Sequence, residues 1–276
     1  MELWLLQDED ANVQMRFRVL QVLHRERSAY QEIAVMDLGS MGRTLVLDDA
    51  IQVTERDAFV YHEMLVHVPL CTHPRPRRVL VVGGGDLGAV AEIVQHDDVE
   101  RIDLVEIDAR VVELSRTYLP WAERAARDPR LTIHYGDGFA FLQAEGPRYD
   151  VIIVDAPDPV GPGVVLFDAP FYEAVRRRLD AGGVMVTQSG SVWFQSELLT
   201  GVRRRLAERF GRAWVYWAGV PSYSIGPWTF TGVSLGPDLS RPDPVRAARL
   251  TTRYYSPEVH QAAFCLPPFL RERLDG

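Results

Sequence analysis

The sequence of 276 residues contains no lysine, and its 30 basic residues are all arginine. Chemistry that depends on a lysine nucleophile or a lysine Schiff base is therefore excluded. Cysteine is also scarce: Cys71 and Cys265 stand far apart, match no metal-binding spacing, and are expected to be buried thiols in a reducing compartment. No apolar run approaches the roughly 20 residues of a membrane-spanning helix, which predicts that the protein has no membrane partner.

The chain is acidic, with a formal net charge of −8 at pH 7. An acidic chain is a poor partner for nucleic acid, but it suits a cationic substrate. The N-terminus, "MELWLLQDEDANVQ", has neither the basic segment nor the cleavage site of a secretion signal, which favours a cytoplasmic location. The length and a hydrophobic content of 47% indicate one large α/β domain, or one domain with a small appendage.

Short β-branched or alternating runs fill the first 54 residues: "FRVLQVLHRER", "AYQEIAVMDL", "RTLVLDD" and "AIQVT". Turn residues separate them, "LGSMGR" between the second and third and Asp48-Asp49 between the last two, which predicts a β-meander. The next stretch, "RDAFVYHEMLVHVPL", has helical spacing, and Asp57 is expected to cap this helix. We therefore place an N-terminal β-strand domain at residues 1–56 and a second domain at residues 57–276.

From Arg77 onwards, strand-like and helix-like segments alternate. This alternation predicts a doubly wound α/β fold, in which helices cover both faces of a parallel sheet. The last two strands, "AWVYWAGV" and "WTFTGVSL", have no helix between them, so they are expected to pair antiparallel.

Glycines occupy the first strand-to-helix turn, "VLVVGGGD" at residues 79–86. Gly83 and Gly85 would let a ligand approach the backbone closely, although a tight turn needs glycine in any case. Glu106 ends the next strand in "LVEID", twenty positions after Asp86, where an acid can accept hydrogen bonds from two ribose hydroxyls. Its alternative role is to cap the following helix, but Asp108 is the better cap and leaves Glu106 without a structural role.

A third acid follows the next strand, in "YGDGF". Asp137 is placed to accept from the exocyclic amine of adenine, with Gly138 admitting the ring; its alternative role is an N-cap. Three strands that end in acids would repel an anionic ligand. The sequence therefore favours a nucleoside without phosphates, and S-adenosyl compounds fit better than NAD or ATP.

The chain resembles the spermidine synthase family, the polyamine aminopropyltransferases, over essentially its whole length. The matching stretches, in order, are "YQEIAV", "LVLDDAIQVTERDAFVYHEMLVHVPL", "VLVVGGGD", "VEID", "GDGF", "YDVIIVDAPDPVGP", "LFDAPFYEAV", "TQSGSVW", "VPSYSIGPW" and "YYSPEVHQAAFCLPPF". The resemblance implies a small N-terminal β-domain followed by a Rossmann-like catalytic domain of the methyltransferase type. It also implies assembly into a homodimer or homotetramer.

By this resemblance the co-substrate is decarboxylated S-adenosylmethionine, and we expect neither a bound cofactor nor a metal. Gln31 would contact the donor, Glu106 its ribose and Asp137 its adenine. Asp86 would bind the amine of the aminopropyl arm. A fixed carboxylate there repels the carboxylate of ordinary S-adenosylmethionine and attracts the ammonium that decarboxylation leaves.

The acceptor implied by the resemblance is putrescine, which would give spermidine and methylthioadenosine. Its predicted binding residues are Tyr61, Asp155, Asp158, Gln188 and Tyr223, with His62 beside them in a binding or packing role. Asp155 is the expected base and Tyr61 would orient the amine. Asp158 has an alternative role as a turn residue before Pro159. Trp193 and Trp228 would wall the polyamine channel.

Several positions depart from the family pattern. Leu87 and Ala91 replace a glycine and an arginine, and Ala156 and Pro157 replace hydroxyl residues. The stretch "SGSVW" after Gln188 lacks the acid that relatives carry near the far end of the acceptor. Agmatine, cadaverine or a triamine therefore stay open as acceptors. The sequence is also compatible with an S-adenosylmethionine-dependent methyltransferase, or with a non-catalytic nucleoside or polyamine sensor.

Overall fold

Two small antiparallel sheets form the N-terminal part of a computed structural model that describes residues 2–157 and 161–275. A hairpin joins β1 (Leu3–Asp8) to β2 (Gln14–Val19). The second sheet contains, in order, β3 (Gln21–Arg27), β4 (Glu32–Asp37), β5 (Arg43–Leu47) and β6 (Ala50–Thr54). The predicted meander is confirmed. Strand β1 was not predicted, and the run "FRVLQVLHRER" is divided between β2 and β3.

The turn between β5 and β6 explains why two aspartates stand there. Asp48 and Asp49 both have left-handed backbone conformations, with φ of 46° and 64°. A two-residue hairpin turn of this kind matches the twist of the strands, and aspartate tolerates the left-handed region better than most residues. The predicted tight turn is therefore confirmed.

The larger part of the chain forms a seven-stranded sheet in the order β12-β13-β11-β10-β7-β8-β9. Five strands are parallel, and β13 pairs antiparallel with β12, as predicted, and also with β11, which was not predicted. The bounds are β7 Arg78–Gly83, β8 Arg101–Glu106, β9 Leu131–Tyr135, β10 Tyr149–Asp155, β11 Leu179–Ser191, β12 Trp214–Ala218 and β13 Trp228–Ser234.

Helices cover both faces of this sheet. They are α1 Ala58–Thr72, α2 Gly88–Ile93, α3 Ala109–Tyr118, α4 Ala122–Ala126, α5 Gly138–Gln143, α6 Ala169–Arg178, α7 Ser196–Phe210, α8 Pro244–Ala247, α9 Pro257–Ala263 and α10 Pro268–Asp275. Val79 and Val81 pack into one apolar cluster, and Leu80 and Val82 into another, because successive residues of a strand face opposite sides. The doubly wound, Rossmann-like fold is thus confirmed.

Helix α1 lies where the two parts of the chain meet. Nearly every residue of α1 is buried, and its apolar cluster includes Ile33 and Val53 of the N-terminal sheet. The division predicted between residues 56 and 57 falls between β6 and α1, and it stays a prediction. None of the described helices is long and apolar enough to cross a membrane.

Two smaller expectations were wrong. The Asp57 carboxylate does not cap α1; it accepts hydrogen bonds from Thr54 Oγ1 at 2.6 Å and from the Ser222 backbone N–H at 2.8 Å. Asp57 therefore ties the start of α1 to a distant loop instead of to the helix backbone. Cys265 is exposed, whereas Cys71 is buried as expected.

A single buried carboxylate anchors the C-terminal segment to α1. Glu63 accepts three backbone N–H groups, from Arg253 at 2.9 Å, Tyr254 at 2.8 Å and Tyr255 at 2.7 Å. The Arg253 guanidinium lies over the Phe59 ring, one turn earlier on α1. This anchoring holds the helix that also carries Tyr61 and His62.

Replacing Glu63 with glutamine should destabilise the fold. One carboxylate oxygen, which now accepts from backbone N–H groups, would become an amide nitrogen that cannot accept. We expect Glu63→Gln to lower the free energy of unfolding by about 2 kcal/mol, measured by urea denaturation. The matched control is Glu100→Gln, at an exposed glutamate that forms an ion pair with Arg77, which should leave stability nearly unchanged. Equal stability of the two variants would contradict the anchoring role of Glu63.

Candidate active site

A cavity of about 430 Å³ lies at the carboxyl ends of the parallel strands. The strand order reverses between β7 and β10, and open α/β sheets bind ligands at such a switch point. The cavity brings together most of the residues predicted from sequence: Gln31, Tyr61, Gly83, Gly85, Asp86, Glu106, Asp137, Gly138, Asp155, Gln188 and Tyr223. Asp158, also predicted, lies outside the described residues.

The glycine turn after β7 packs directly against the end of β10. Gly83 and Gly84 have φ of 81° and 74°, and a Cβ on Gly83 would lie 2.2 Å from the Asp155 carbonyl oxygen. The Gly84 N–H donates to that same oxygen at 2.9 Å. Glycine at these positions is therefore required by the fold as well as by a ligand. Leu87, the departure from the family pattern, is fully buried in a left-handed conformation with φ of 62°.

Glu106 lies beside this turn and accepts two backbone hydrogen bonds. Its carboxylate accepts from the Gly85 N–H at 3.1 Å and from the Asp108 N–H at 2.9 Å. The expectation that Glu106 has no structural role was therefore wrong. Burial raises the pKa of Glu106 to about 7, with the nearby Asp108 charge adding to the effect. A carboxylate oxygen can accept more than one hydrogen bond, so Glu106 can also accept from a ligand hydroxyl.

Asp108 links the sheet to the N-terminal domain. One of its oxygens caps α3, as predicted, by accepting from the Arg110 N–H at 3.0 Å. The other accepts from Ser28 Oγ at 2.6 Å and from Gln31 Nε2 at 3.0 Å. Gln31 is thereby held at the cavity wall, on the same side as Glu106.

Asp137 caps α5, which was the alternative role considered for it, and it also lines the cavity, while its contact with adenine stays a prediction. Its Oδ1 accepts from the Ala140 N–H at 2.9 Å. A Cβ on Gly138 would lie 2.4 Å from the Val82 side chain, so packing requires glycine there.

Asp155 and Tyr61 form the centre of the cavity. The Tyr61 hydroxyl donates to Asp155 Oδ1 at 2.7 Å. Burial, and then the negative charge of Asp86, raise the pKa of Asp155 to about 6. Burial and the Asp155 charge raise the pKa of Tyr61 well above its ordinary value, so the phenol stays protonated and donates.

His62 lies behind Asp86 as its cationic partner. His62 Nε2 is 3.2 Å from Asp86 Oδ2, an ion pair whose geometry falls outside that of a hydrogen bond. Burial opposes the charge of the imidazole, but Asp86 and Asp155 more than offset it and raise the pKa of His62 to about 9. Burial raises the pKa of Asp86, but the imidazolium outweighs it and the pKa is lowered. A Cβ on Gly88 would lie 2.1 Å from the His62 ring, so α2 begins with glycine.

The three central groups also have the donor atoms of a metal site. One ligating atom from each of His62, Asp86 and Asp155 lies within 4.8 Å of the others. A protonated imidazole has no lone pair for a metal, and two carboxylates this close also suit an amine cation. A metal-free site stays a prediction.

Gln188 and Tyr223 lie on the other side of Asp155 from Glu106. Gln188 Nε2 donates to the Ala156 carbonyl at 3.3 Å, and its oxygen accepts from the Gly190 N–H at 2.9 Å. The Tyr223 ring meets Tyr61 edge-on at 5.2 Å and Trp228 at 5.0 Å. Trp228 lines the cavity as predicted, whereas Trp193 is outside the lining and stacks on Phe269.

Residues of the N-terminal hairpin that were not predicted also line the cavity, namely Gln7, Asp8 and Glu9. Gln7 Nε2 donates to the Tyr223 carbonyl at 3.0 Å, and its oxygen accepts from the Ile51 N–H at 3.0 Å. The apolar run "LWLL" before these polar residues was the available signal for a strand. Its pairing with β2, which places the hairpin end at the cavity, follows only from the fold.

Family comparisons agree with this architecture. The family model described as "Spermine/spermidine synthase domain" matches residues 58–240, and the one described as "Spermidine synthase tetramerisation domain" matches residues 3–55. The chain is 46% identical to the polyamine aminopropyltransferase of Moorella thermoacetica, covering 99% of this chain and 97% of that protein. It is 40% identical to that of Shouchella clausii, covering 99% and 100%.

Solved structures give the same result. The spermidine synthase in complex with the transition-state analogue AdoDATO superposes with a TM-score of 0.96 at 33% identity, covering 99% of this chain and 95% of that one. The spermidine synthase from Thermotoga maritima superposes with a TM-score of 0.93 at 32% identity, covering 99% and 94%. The chain therefore belongs to the spermine/spermidine synthase family and is an enzyme of the polyamine aminopropyltransferase type.

Proposed function

We propose that this enzyme transfers the aminopropyl group of decarboxylated S-adenosylmethionine to putrescine, which gives spermidine and methylthioadenosine. The observation that carries the proposal is that the buried Asp86 and the half-buried Asp155 approach each other at one wall of the cavity. Two carboxylates held this close favour a ligand that brings positive charge. Decarboxylated S-adenosylmethionine does so with both a sulfonium and an ammonium.

The nucleoside half of the donor belongs on the Glu106 side of the cavity. Glu106 would accept from the two ribose hydroxyls, and Asp137 from the adenine amine. Gln31, fixed by Asp108, would close that side from the N-terminal domain. The solved relative that holds AdoDATO is a spermidine synthase with a transition-state analogue, which supports a donor of this kind.

Asp86 would distinguish the decarboxylated donor from S-adenosylmethionine. It is buried, it already has one cation beside it in His62, and it lines the cavity next to the glycine turn. The ammonium of the aminopropyl arm would be attracted there, whereas an additional carboxylate on the ligand would be repelled.

Reaction would proceed by direct displacement. The lone pair of a neutral amine nitrogen forms the new N–C bond with the carbon next to sulfur. The C–S bond breaks, its electron pair moves to sulfur, and neutral methylthioadenosine leaves. Positive charge thus moves from sulfur to nitrogen, where the Asp155 and Asp86 carboxylates stabilise it.

Asp155 is the base that would neutralise the attacking amine before displacement. A carboxyl at its ordinary pKa of about 3.9 is a poor base for an ammonium, and burial moves the pKa of Asp155 to about 6. The Tyr61 hydroxyl occupies Oδ1 of Asp155 and fixes the carboxylate. Oδ2, which lies against Gly84 in the glycine turn, is the remaining oxygen for the amine proton.

The acceptor would lie between Asp155 and the N-terminal hairpin. Gln188 and the Tyr223 and Trp228 rings line this part of the cavity. Aromatic faces suit the methylene chain of a diamine, which has no polar atoms between its two nitrogens. Asp158 is expected to contribute a further carboxylate. Cadaverine, agmatine and triamines are the alternative acceptors that this cavity leaves open.

We also propose that the chain assembles into a homo-oligomer, either a dimer or a tetramer. Residues 3–55 match the tetramerisation model, and β1 carries three exposed apolar side chains, Leu3, Trp4 and Leu6. Exposed apolar side chains grouped in this way are typical of subunit contacts. A cytoplasmic location stays a prediction.

Turnover with a panel of donors and acceptors tests the reaction itself. We expect product of spermidine mass from decarboxylated S-adenosylmethionine and putrescine, and no methylated product from S-adenosylmethionine. Putrescine should have a higher kcat/KM than cadaverine or agmatine, as measured by mass spectrometry of the products. Preferred transfer to agmatine or a triamine would replace putrescine as the acceptor, and no transfer to any amine would overturn the proposal.

Asp155→Asn should lower turnover at least about 100-fold, because the amide cannot take the amine proton. The affinity for methylthioadenosine, measured by calorimetry, should stay close to that of the wild type, since the proposed partner of the ribose is Glu106 and not Asp155. Asp37→Asn, which removes a carboxylate that accepts from the Gly39 N–H at a distant turn, is the charge control. Near-normal turnover of Asp155→Asn would remove this residue from the mechanism.

Methylthioadenosine affinity should depend on pH through Glu106. The pKa of Glu106 is raised to about 7, so its carboxylate becomes protonated as the pH falls through that value and accepts ribose hydroxyls less well. Wild-type affinity should therefore decrease below pH 7, whereas Glu106→Gln should bind about tenfold more weakly at pH 8 and without that pH dependence. Calorimetry at pH 6, 7 and 8 measures the affinity of the wild type and of the variant. If Glu106→Gln shows the same pH dependence as the wild type, the titration belongs to another group.

A further inference from the structure

We propose that Glu9 binds the far ammonium of the acceptor and thereby selects diamines over monoamines. This inference deepens the proposed function and rests on it. Glu9 stands at the end of the β1–β2 hairpin, outside the Rossmann-like domain, yet its side chain lines the same cavity as Asp155.

The hairpin end that carries Glu9 is fixed in position. Gln7, two residues earlier, is bonded through its amide nitrogen to the Tyr223 carbonyl and through its amide oxygen to the Ile51 N–H. These bonds connect the hairpin to the loop after β12 and to β6. Glu9 is therefore held at the wall of the cavity that Tyr223 also lines.

The Glu9 carboxylate has neutral partners. Oε2 accepts from Ser224 Oγ at 2.7 Å, and Oε1 lies 3.4 Å from Gln7 Nε2. Within residues 2–157 and 161–275, no arginine or histidine forms an ion pair with it. Half-buried carboxylates are stabilised by a cationic partner, and a cation in the cavity would supply one.

The distance from the reacting centre suits a short diamine. Gln188 contacts the residue after Asp155, and Ser191 lies three positions further along β11, where a bulge between Gln188 and Gly190 shortens the span below the roughly 10 Å of a regular strand. Ser191 Oγ contacts Ser224 Oγ at 3.1 Å, and Ser224 contacts Glu9. A diamine that adds a hydrogen bond of about 3 Å at each end spans a gap of this order.

The same contacts supply a carboxylate that β11 lacks. Residues 189–191, which end β11, are Ser-Gly-Ser and carry no charge. Ser191 is connected through Ser224 to Glu9, so the negative charge comes from the N-terminal hairpin instead. The Tyr223 and Trp228 rings line the same cavity as Asp155 and Glu9 and would cover the methylene chain of the diamine.

The test is Glu9→Gln, which removes the charge and keeps an oxygen for Ser224. We expect the KM for putrescine to rise about tenfold or more, because a charge-assisted hydrogen bond is lost, with a smaller change in kcat. Inhibition by n-butylamine, competitive with putrescine, should keep its Ki, since this amine has no far ammonium. Methylthioadenosine affinity should also be unchanged.

A second variant keeps the charge and moves it. Glu9→Asp withdraws the carboxylate by one methylene, so the ratio of kcat/KM for cadaverine to that for putrescine should increase relative to the wild type. Glu2→Gln, on the same N-terminal segment and paired with Arg18 at the exposed surface, is the matched control and should leave both amines unaffected.

The outcomes separate the two proposals. If the wild type transfers no aminopropyl group to any amine, the proposed function fails. If the wild type is active but Glu9→Gln raises the putrescine KM and the butylamine Ki equally, or changes neither, Glu9 does not bind the far ammonium. An unaltered preference between putrescine and cadaverine in Glu9→Asp overturns the inference even if Glu9→Gln does not fold.

Discussion

The repulsion between the buried carboxylate of Asp86 and the half-buried carboxylate of Asp155 is the constraint on which the rest of the site depends. They meet because the glycine turn after β7 lies directly against the end of β10. Each then needs a group that offsets its charge or its burial: His62 pairs with Asp86, and the Tyr61 hydroxyl bonds to Asp155. A substrate that carries positive charge into this centre relieves the same repulsion, so the electrostatics of the protein groups alone already favour an amine.

The N-terminal strands complete the cavity from two sides. Gln31 is bonded to Asp108 next to the Glu106 side, and Gln7 is bonded to the Tyr223 carbonyl at the opposite end. Helix α1, which carries Tyr61 and His62, packs on the N-terminal sheet. Its residue Glu63 also bonds the helix to the backbone of the C-terminal segment. The small β-domain therefore forms a wall of the active site. A change in how it packs on the larger domain would move Gln31 on one side of the cavity and Gln7 on the other.

Much of the fold could be predicted from periodicity, because strand and helix patterns in this chain agree with the layers that the structure forms. The antiparallel pairing of the final two strands was predictable because no helix separates them in the sequence. The turn at Asp48-Asp49 was predictable because aspartate is a turn-forming residue. The predictions that were wrong concern where side chains bond. Asp57 precedes α1 as a cap should, yet its carboxylate bonds to Thr54 and Ser222, because a loop 165 residues away offers donors that the sequence order conceals.

The sequence by itself determined which chemistry was available: acids at the ends of three successive strands, glycine in the first turn, and no lysine. These features follow from the order of residues along the chain, because the residue that ends a strand is the same whichever strands it pairs with. Only the tertiary structure decided how those acids interact, because a pKa depends on burial and on neighbours from distant elements. It also decided that Glu9, on a hairpin whose pairing the sequence pattern did not reveal, lines the same cavity as Asp155, since strand pairing and domain docking join residues far apart in the chain.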